Sequence, residues 1–351
     1  MKLAAIHALL LLATLGFAYQ TWTRDKTGPV TPGSVLIWDT DVDDIVAIAY
    51  ESDEQEVSIE RREDETGTYF WGTVTHPARE TPPSDTAGDS VAADSESATP
   101  DGDSAAPDTM PAAPTVIEFV VGQEGDVLLD EAADPRALRD LGTVDEQRLS
   151  EYGLADSTAK IVVRTEDATR ELEVGGTAWG VNDRYVRDRE TGRIYVLPAA
   201  FLRRLERAEY LLPERRLHLF DDASIRRVVV RTGEAERVMH RADGAQPGTA
   251  IWTQPEEPDE PDQTFANFMD RLDRIWASEY VPDLDPRTLT SVVRIDYFDA
   301  SDRPLGHVEL FRGNEEGEGV QYYARTELTR VLTRVNASLG EQLDADVSQL
   351  F

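Results

Sequence analysis

Short β-strands are predicted along most of the chain by the pattern of apolar and polar positions. Residues 45–50 (IVAIAY), 56–62 (EVSIERR) and 68–75 (TYFWGTVT) are rich in β-branched and aromatic residues and are separated by acidic or glycine-containing turns. Three such runs joined by short turns are typical of an antiparallel meander. Further strands are predicted at 115–122, 159–165, 170–176, 183–188 and 193–198, followed by a helix at 199–212.

The same order of elements recurs in the second half of the chain. Strands at 224–232, 236–243 and 249–255 repeat the meander, and Trp252 in the third of these strands corresponds to Trp71. Two acidic pairs, Asp43–Asp44 and Asp221–Asp222, precede the opening strands and look equivalent. Later elements are predicted as a helix at 264–280, strands at 289–299, 306–313 and 319–326, and a final helix at 327–343.

This recurrence predicts an α+β protein made of two duplicated units, each an antiparallel meander sheet backed by helices. The first unit is expected at 45–211 and the second at 217–351. Residues 76–114 interrupt the first unit with Pro, Ala, Ser, Thr and Asp in place of large apolar side chains. Such a segment cannot bury enough surface to offset the entropy lost on ordering, so a disordered acidic insertion is predicted there.

The N-terminus carries the longest apolar run of the chain. Residues 3–19 (LAAIHALLLLATLGFAY) contain one strongly polar side chain, His7, and as a helix would span roughly 25 Å. Flanking Trp22, Arg24 and Lys26 favour an uncleaved membrane anchor over a signal peptide cleaved near Ala18.

Either interpretation of the N-terminus places the remaining residues outside the cytoplasm. The anchor or signal segment is assigned to residues 1–23 and a linker to residues 24–44. The expected location is the bacterial cell envelope, as a single-pass inner-membrane protein with an extracytoplasmic domain. The alternative is a secreted or periplasmic protein.

The net charge and the lack of cysteine exclude several classes of function. The 351 residues include 68 acidic and 35 basic side chains, for a net charge of −33, and no cysteine. Such a surface repels phosphate groups, so no nucleic-acid partner is expected. The lack of cysteine excludes disulfides, thiolate metal sites and cysteine nucleophiles.

Four aspartates, Asp39, Asp41, Asp43 and Asp44, form the most obvious candidate metal site. A calcium loop of the EF-hand type that starts at Asp39 would need Gly at its sixth position and Glu at its twelfth, where the chain has Asp44 and Tyr50. The pattern therefore favours an acidic turn before the first strand, with weak metal binding as the alternative.

No catalytic constellation is visible in the sequence. The five histidines, at 7, 76, 218, 240 and 307, are dispersed and show no metal-ligand spacing. The prediction is a non-enzymatic protein without a cofactor. A candidate partner surface comprises Trp179, Arg184 and Arg187, although the arginines are more readily explained by pairing with acidic residues across strands. Core packing is expected for Trp71, Trp252 and Trp276.

Several stretches together resemble the DUF4340 family of bacterial proteins. They are EYGLADSTAKIVV (151–163), LEVGGTAWGVNDRYVRDRETGRIYVL (172–197), WTQPEEPDEPDQTFANFMDRLDRIWASEYV (252–281), and the two meanders with their recurring tryptophan. The family's activity is not established. The resemblance implies a protein encoded beside ABC-type transporters, and hence transporter components as partners.

These expectations combine into a membrane-anchored accessory or interaction protein of an ABC-type transport or cell-envelope system. Two alternatives remain open. One is an envelope hydrolase or glycan-binding protein with a site between the two units, which would require a cleft lined by carboxylates in unequal environments. The other is a calcium-dependent adhesion module that uses Asp39 to Asp44.

Overall fold

Two large antiparallel β-sheets make up most of the computed structural model, which describes residues 33–78, 113–178, 180, 182–244, 250–315 and 319–351. Helices pack on the sheets, and apolar side chains from both sheets contribute to one main hydrophobic core. The mainly antiparallel α+β architecture expected from the sequence is confirmed.

The first half contains a nine-stranded sheet and a two-stranded one. The larger sheet has the order β5-β4-β3-β2-β8-β9-β10-β11-β7, and β1 pairs with β6. The bounds are β1 Val35–Leu36, β2 Ile45–Glu51, β3 Glu56–Asp64, β4 Gly67–His76, β5 Thr115–Val120, α1 Gln123–Ala133, β6 Arg136–Ala137, β7 Arg139–Thr143, β8 Lys160–Thr165, β9 Thr169–Thr177, β10 Arg184–Asp188, β11 Arg193–Leu197, α2 Ala199–Glu206 and α3 Ala208–Leu211, with 3-10 helices at Val42–Asp44 and Glu146–Tyr152.

The second half contains an eight-stranded sheet with the order β14-β13-β12-β16-β17-β18-β19-β15. The bounds are β12 Arg227–Thr232, β13 Ala235–Asp243, β14 Ala250–Thr253, α4 Gln263–Leu272, β15 Glu279–Tyr280, β16 Thr290–Phe298, β17 Pro304–Glu315, β18 Gly319–Thr326, β19 Thr333–Arg334 and α5 Ala337–Leu350, with 3-10 helices at Asp222–Ser224 and Pro286–Thr288.

The strand order is the same in the two large sheets once β5 is set aside. The sequence β4-β3-β2-β8-β9-β10-β11-β7 corresponds strand by strand to β14-β13-β12-β16-β17-β18-β19-β15. In each half a helix, α1 or α4, follows the meander, and a 3-10 helix precedes the fourth long strand. The third meander strand carries Trp71 in β4 and Trp252 in β14, and each tryptophan is buried.

A capped 3-10 helix precedes the first meander strand of each half. Its position shows that the expected equivalence of Asp43–Asp44 with Asp221–Asp222 is wrong by two residues. The Asp41 side chain accepts a hydrogen bond from the Asp43 amide, and Asp221 accepts one from the Ala223 amide. The helices then end at the buried residues Ile45 and Ile225. Asp221 therefore corresponds to Asp41, not to Asp43 as the acidic pairs suggested.

Helix α4 illustrates how local sequence and packing agree. Asp262 caps it by accepting a hydrogen bond from the Phe265 amide at 2.9 Å. Its buried side chains follow the spacing of one helical face, which packs against β14 and α5. Burial of each large apolar side chain contributes about 1.5–3 kcal/mol. These side chains are Phe265, Phe268, Met269 and Leu272.

Two helix predictions in the second half were too long. Helix α4 stops at Leu272, after which the Arg274 and Ile275 amides donate to carbonyls three residues back. The amides of Ala277 and Ser278 then donate to the Arg215 and Arg334 carbonyls instead of continuing the helix. The final helix begins at Ala337, not at residue 327. Before it, Arg330 has a φ of 62°, which interrupts any helix, and residues 333–334 form β19.

The two halves meet along residues 212–221, which we call the connector. The Gly122 amide donates to the Leu212 carbonyl at 2.8 Å, and Val121 forms an antiparallel bridge with Pro213. On the other side, the Ala277 amide donates to the Arg215 carbonyl at 2.9 Å. The connector therefore lies between the end of β5 and the segment that leads into β15.

Two segments that carry the family resemblance contact each other. Gly153 has a φ of 65° and ends the 3-10 helix before Leu154. A Cβ atom on Gly175 in β9 would lie 2.5 Å from the Tyr152 carbonyl oxygen and 2.8 Å from Leu154 Cγ. Glycine at 175 is thus required by a close approach of two backbone segments.

Several sequence predictions fall outside the described residues. The anchor or signal segment lies in residues 1–32, and residues 79–112 contain most of the predicted insertion. Among the helices of the described ranges, none has the length and apolar character needed to cross a membrane. The segment at 33–44, assigned to the linker, includes β1 and is bound to α1 through the Trp38 indole.

We expect Gly175→Ala to destabilise the protein by about 1–3 kcal/mol, because the added methyl group would overlap the Tyr152 backbone. The neighbouring Gly176→Ala is the matched control, since its Cβ would come no closer than 3.4 Å to any atom outside its chain neighbours. Urea unfolding followed by circular dichroism measures both variants. Equal stability of the two would contradict the close-approach explanation.

Candidate functional site

A cavity of about 540 Å³ lies between the connector and the end of α4. Its walls include connector residues 215–221, residues 272–276 at the end of α4, and Tyr297 of β16. Tyr297 is fully buried at the base of this region, and Leu272 anchors the end of α4 in the core. The cavity is therefore built on packed elements of the second half.

Three ionisable side chains converge at this cavity. His218 lies on the connector, Asp222 begins the 3-10 helix Asp222–Ser224, and Asp273 is the C-cap of α4. One ligand atom from each lies within 4.8 Å of the other two. Within the described part of the chain, these three side chains form a group whose spacing suits a metal ion.

The imidazole of His218 is oriented by its neighbours. It stacks on Phe220, with ring centroids 4.1 Å apart and an interplanar angle of 10°. Its Nδ1 lies 3.2 Å from the Phe220 carbonyl oxygen, which can only accept, so Nδ1 carries the proton. Nε2 lies 3.8 Å from Asp222 Oδ1. Nε2 is thus the ring nitrogen that faces the cluster.

The pKa of Asp273 is raised to about 7. Removal of water from around the carboxyl group is the main cause, and the neighbouring carboxylates Asp222 and Asp270 raise the pKa further, whereas Arg241 lowers it. Its place at the C-terminus of α4 also disfavours a negative charge. Asp273 is nevertheless an exposed residue, so water screens part of these effects.

Apolar side chains are exposed beside the ionisable group. Trp276 is 49% exposed and Leu219 is 61% exposed, and both line the cavity. The expectation that Trp276 packs in the core was therefore wrong, whereas it was correct for Trp71 and Trp252. The helical spacing that suggested burial of Trp276 does not apply, because α4 ends at Leu272.

This arrangement can bind a cation or exchange protons. An imidazole nitrogen and two carboxyl groups can supply lone pairs, and the raised pKa of Asp273 gives one carboxyl group a proton that it can donate near neutral pH. The sequence carried one signal that was missed, since His218 and Asp222 are four residues apart in HLFDD. Asp273 is distant in sequence and is brought in only by the fold.

The acidic residues first considered for metal binding lie in the lead-in to β2. Asp39, Asp41, Asp43 and Asp44 are all exposed, and Asp41 serves as the cap of the 3-10 helix. Their ligand atoms do not form a group of the kind seen at His218 within the described part of the chain. Calcium-dependent adhesion through these residues stays a prediction.

The arginines of the predicted partner surface make contacts within the protein. Arg184 donates to Glu206 of α2 at 2.8 Å, and Arg187 lies 3.6 Å from Glu173 on the neighbouring strand β9. Arg187 therefore has the expected acidic partner across strands, whereas the acidic partner of Arg184 lies on a helix. Trp179 lies outside the described residues, and the partner surface itself stays a prediction.

Comparison with known proteins identifies a family over part of the chain. Residues 127–292 match the family model described as "Domain of unknown function (DUF4340)", which confirms the expected family resemblance over this region. The matched region runs from α1 into β16 and includes the connector and the three clustered side chains. No curated protein and no solved structure matches the chain.

Asp273→Asn should stabilise the protein more at pH 8 than at pH 4. A carboxyl group whose pKa is raised by folding is protonated in both states at low pH and has no effect there. Its ionisation destabilises the fold progressively as the pH rises from about 4 to about 7, and fully above that.

After allowance for screening at this exposed residue, we expect Asp273→Asn to increase the free energy of unfolding by about 1–2 kcal/mol at pH 8 and by little at pH 4. Urea unfolding at both pH values in the presence of a chelator measures the difference. The same increase at both pH values would show that ionisation of Asp273 is not the cause.

Proposed function

We propose that this DUF4340 chain is an extracytoplasmic, membrane-anchored, non-enzymatic accessory or interaction protein of an ABC-type transport or cell-envelope system. The transporter link rests on the family resemblance, and the anchor on the apolar residues 3–19. The observation that carries an interaction role is the exposed pair Trp276 and Leu219 on a packed scaffold. The candidate partners are protein components of the transport or envelope system.

We infer that the two halves are duplicated copies of one unit, within 45–211 and 217–351. Their strand orders, which agree apart from β5, and their equivalent capped 3-10 helices support this inference. Arginines of the sheets pair with acidic residues, as Arg294 and Arg325 do with Glu309. Such surfaces are stable in water and offer little adhesion, whereas Trp276 and Leu219 expose apolar surface together at one cavity.

Trp276 and Leu219 have the properties of an interaction anchor. Tryptophan supplies a large apolar surface with few rotatable bonds and is over-represented among residues that dominate binding energies. The buried neighbours Ile275 and Ala277 hold the backbone on both sides of Trp276. A partner that covers the indole and Leu219 would gain about 25 cal/mol for each Å² of apolar surface that it buries.

Photo-crosslinking in native cell envelopes tests the interaction role. A photoreactive amino acid in place of Trp276 is expected to form a covalent adduct with a transporter component, identified by mass spectrometry. The matched control replaces Tyr210, which is 63% exposed in the first half and lies on α3. Equal adducts from both positions, or adducts at 276 that contain no transport or envelope component, would overturn the proposal.

A second candidate function is an envelope hydrolase or glycan-binding protein. It is favoured by the two carboxylates Asp222 and Asp273 at the cavity beside Trp276, with one pKa raised. Paired carboxyl groups of unequal acidity are the groups that glycoside hydrolysis requires, and an indole face packs well against apolar faces of ligands.

Envelope oligosaccharides mixed with the purified protein test this second candidate. Binding should quench tryptophan fluorescence, and Trp276→Phe should weaken the response while Trp252→Phe, in the core, leaves the site intact. Hydrolysis would release products detectable by chromatography, and Asp273→Asn would abolish their release. An unchanged fluorescence spectrum and no products would exclude this function for the oligosaccharides used.

A further inference from the structure

We propose that His218, Asp222 and Asp273 bind one divalent transition-metal ion, for which Zn²⁺ is the test ion. The inference concerns a site that neither the family match nor the interaction role assigns. It does not rest on the proposed function, since an accessory protein, a glycan-binding protein and a hydrolase could each contain such an ion.

The ligand chemistry fits this class of metal. Imidazole nitrogen suits Zn²⁺ and other transition metals, and carboxylate oxygens complete mixed nitrogen–oxygen sites. Two ligands of one such ion lie roughly 3–4 Å apart, given bonds of about 2.0–2.2 Å. The three ligand atoms already lie within 4.8 Å of one another. A small rotation of the exposed Asp222 and Asp273 side chains would therefore place all three ligand atoms around one ion.

The histidine is already oriented as a metal ligand. Because Nδ1–H donates to the Phe220 carbonyl, Nε2 presents its lone pair to the cluster. A hydrogen bond from the second ring nitrogen to a carbonyl is the usual support of metal-bound histidine. Stacking on Phe220 further limits rotation of the ring. A cation at this place would also lie near the C-terminus of α4, where positive charge is favoured.

Comparison of the two halves shows that this place differs between them. His218 stands three residues before the capping Asp221, and Trp38 stands three residues before the capping Asp41. Asp222 directly follows its cap, where the first half has Val42. The two positions that supply metal ligands in the second half therefore carry an indole and an isopropyl group in the first.

In the first half the equivalent space is closed by packing. The Trp38 indole donates to the Ala132 carbonyl at 3.0 Å, and the Thr40 amide donates to the Ala133 carbonyl at 3.0 Å, both at the end of α1. Val42 packs against the main core. In the second half the corresponding space between the lead-in and the end of α4 is the cavity, which leaves the ion accessible to water or a ligand.

Zn²⁺ titration of the full chain tests the site, with a chromophoric chelator as competitor at fixed pH and ionic strength. The wild type is expected to bind one Zn²⁺ tightly, above the weak binding expected of an acidic surface. His218→Ala and Asp222→Asn should each weaken the tight site at least about tenfold. Asp222 is exposed, so its substitution should leave the fold intact, as circular dichroism can verify.

The matched control is the double variant Asp43→Asn and Asp44→Asn, which removes two exposed carboxylates from the corresponding turn of the first half. It should retain the tight site. A second readout is the visible spectrum of bound Co²⁺, whose absorption should change in His218→Ala. If wild type, His218→Ala and the control bind the same number of ions with the same affinity, the site does not exist. That outcome would leave the crosslinking result at Trp276 unaffected.

Discussion

Glu214 is the residue on which the arrangement of the two halves depends. It is 5% exposed on the connector, its amide donates to the Val120 carbonyl at 2.8 Å, and its carbonyl accepts from the Tyr280 hydroxyl at 2.7 Å. The carboxylate is balanced by the Arg216 amide and guanidinium at 2.6–2.9 Å. An unpaired buried charge costs several kcal/mol. The pairing of Glu214 with Arg216 is therefore required for the connector to pack against both halves.

The position of the connector in turn determines the candidate site. A Cβ on Gly122 would lie 2.8 Å from Glu214 Cα, so the connector backbone can approach residue 122 this closely only because residue 122 is glycine. Tyr280 also contacts Trp71 edge-to-face, which joins β15 to the third meander strand of the first half. Hydrogen bonds to Val120 and Tyr280 fix the position of Glu214. The connector residues that follow therefore lie against the end of α4, where His218 and Asp222 are close to Asp273.

Much of the architecture could be predicted from the sequence, because strand and meander patterns are local. The third-strand tryptophans, the turn before Ile45 and most strands follow from short-range patterns. The end of α4 could not be predicted, since the amides of Ala277 and Ser278 bind the distant carbonyls of Arg215 and Arg334. The start of α5 at Ala337 could not be predicted either, since residues 333–334 pair with β15 and β18. The clustered site was missed for the same reason. Only the i, i+4 pair of His218 and Asp222 is visible locally, and Asp273 joins it through tertiary structure.

The repeated topology explains how one half can carry a site that the other lacks. Each half needs its capped 3-10 helix to connect the lead-in to the first meander strand, so Asp41 and Asp221 both serve the fold. The residues around the cap are under no such common constraint. Trp38 uses its position to bind the end of α1, which strengthens the first half. The second half is attached through Glu214 and the connector instead, so His218 is free of that packing role and its imidazole can serve a ligand.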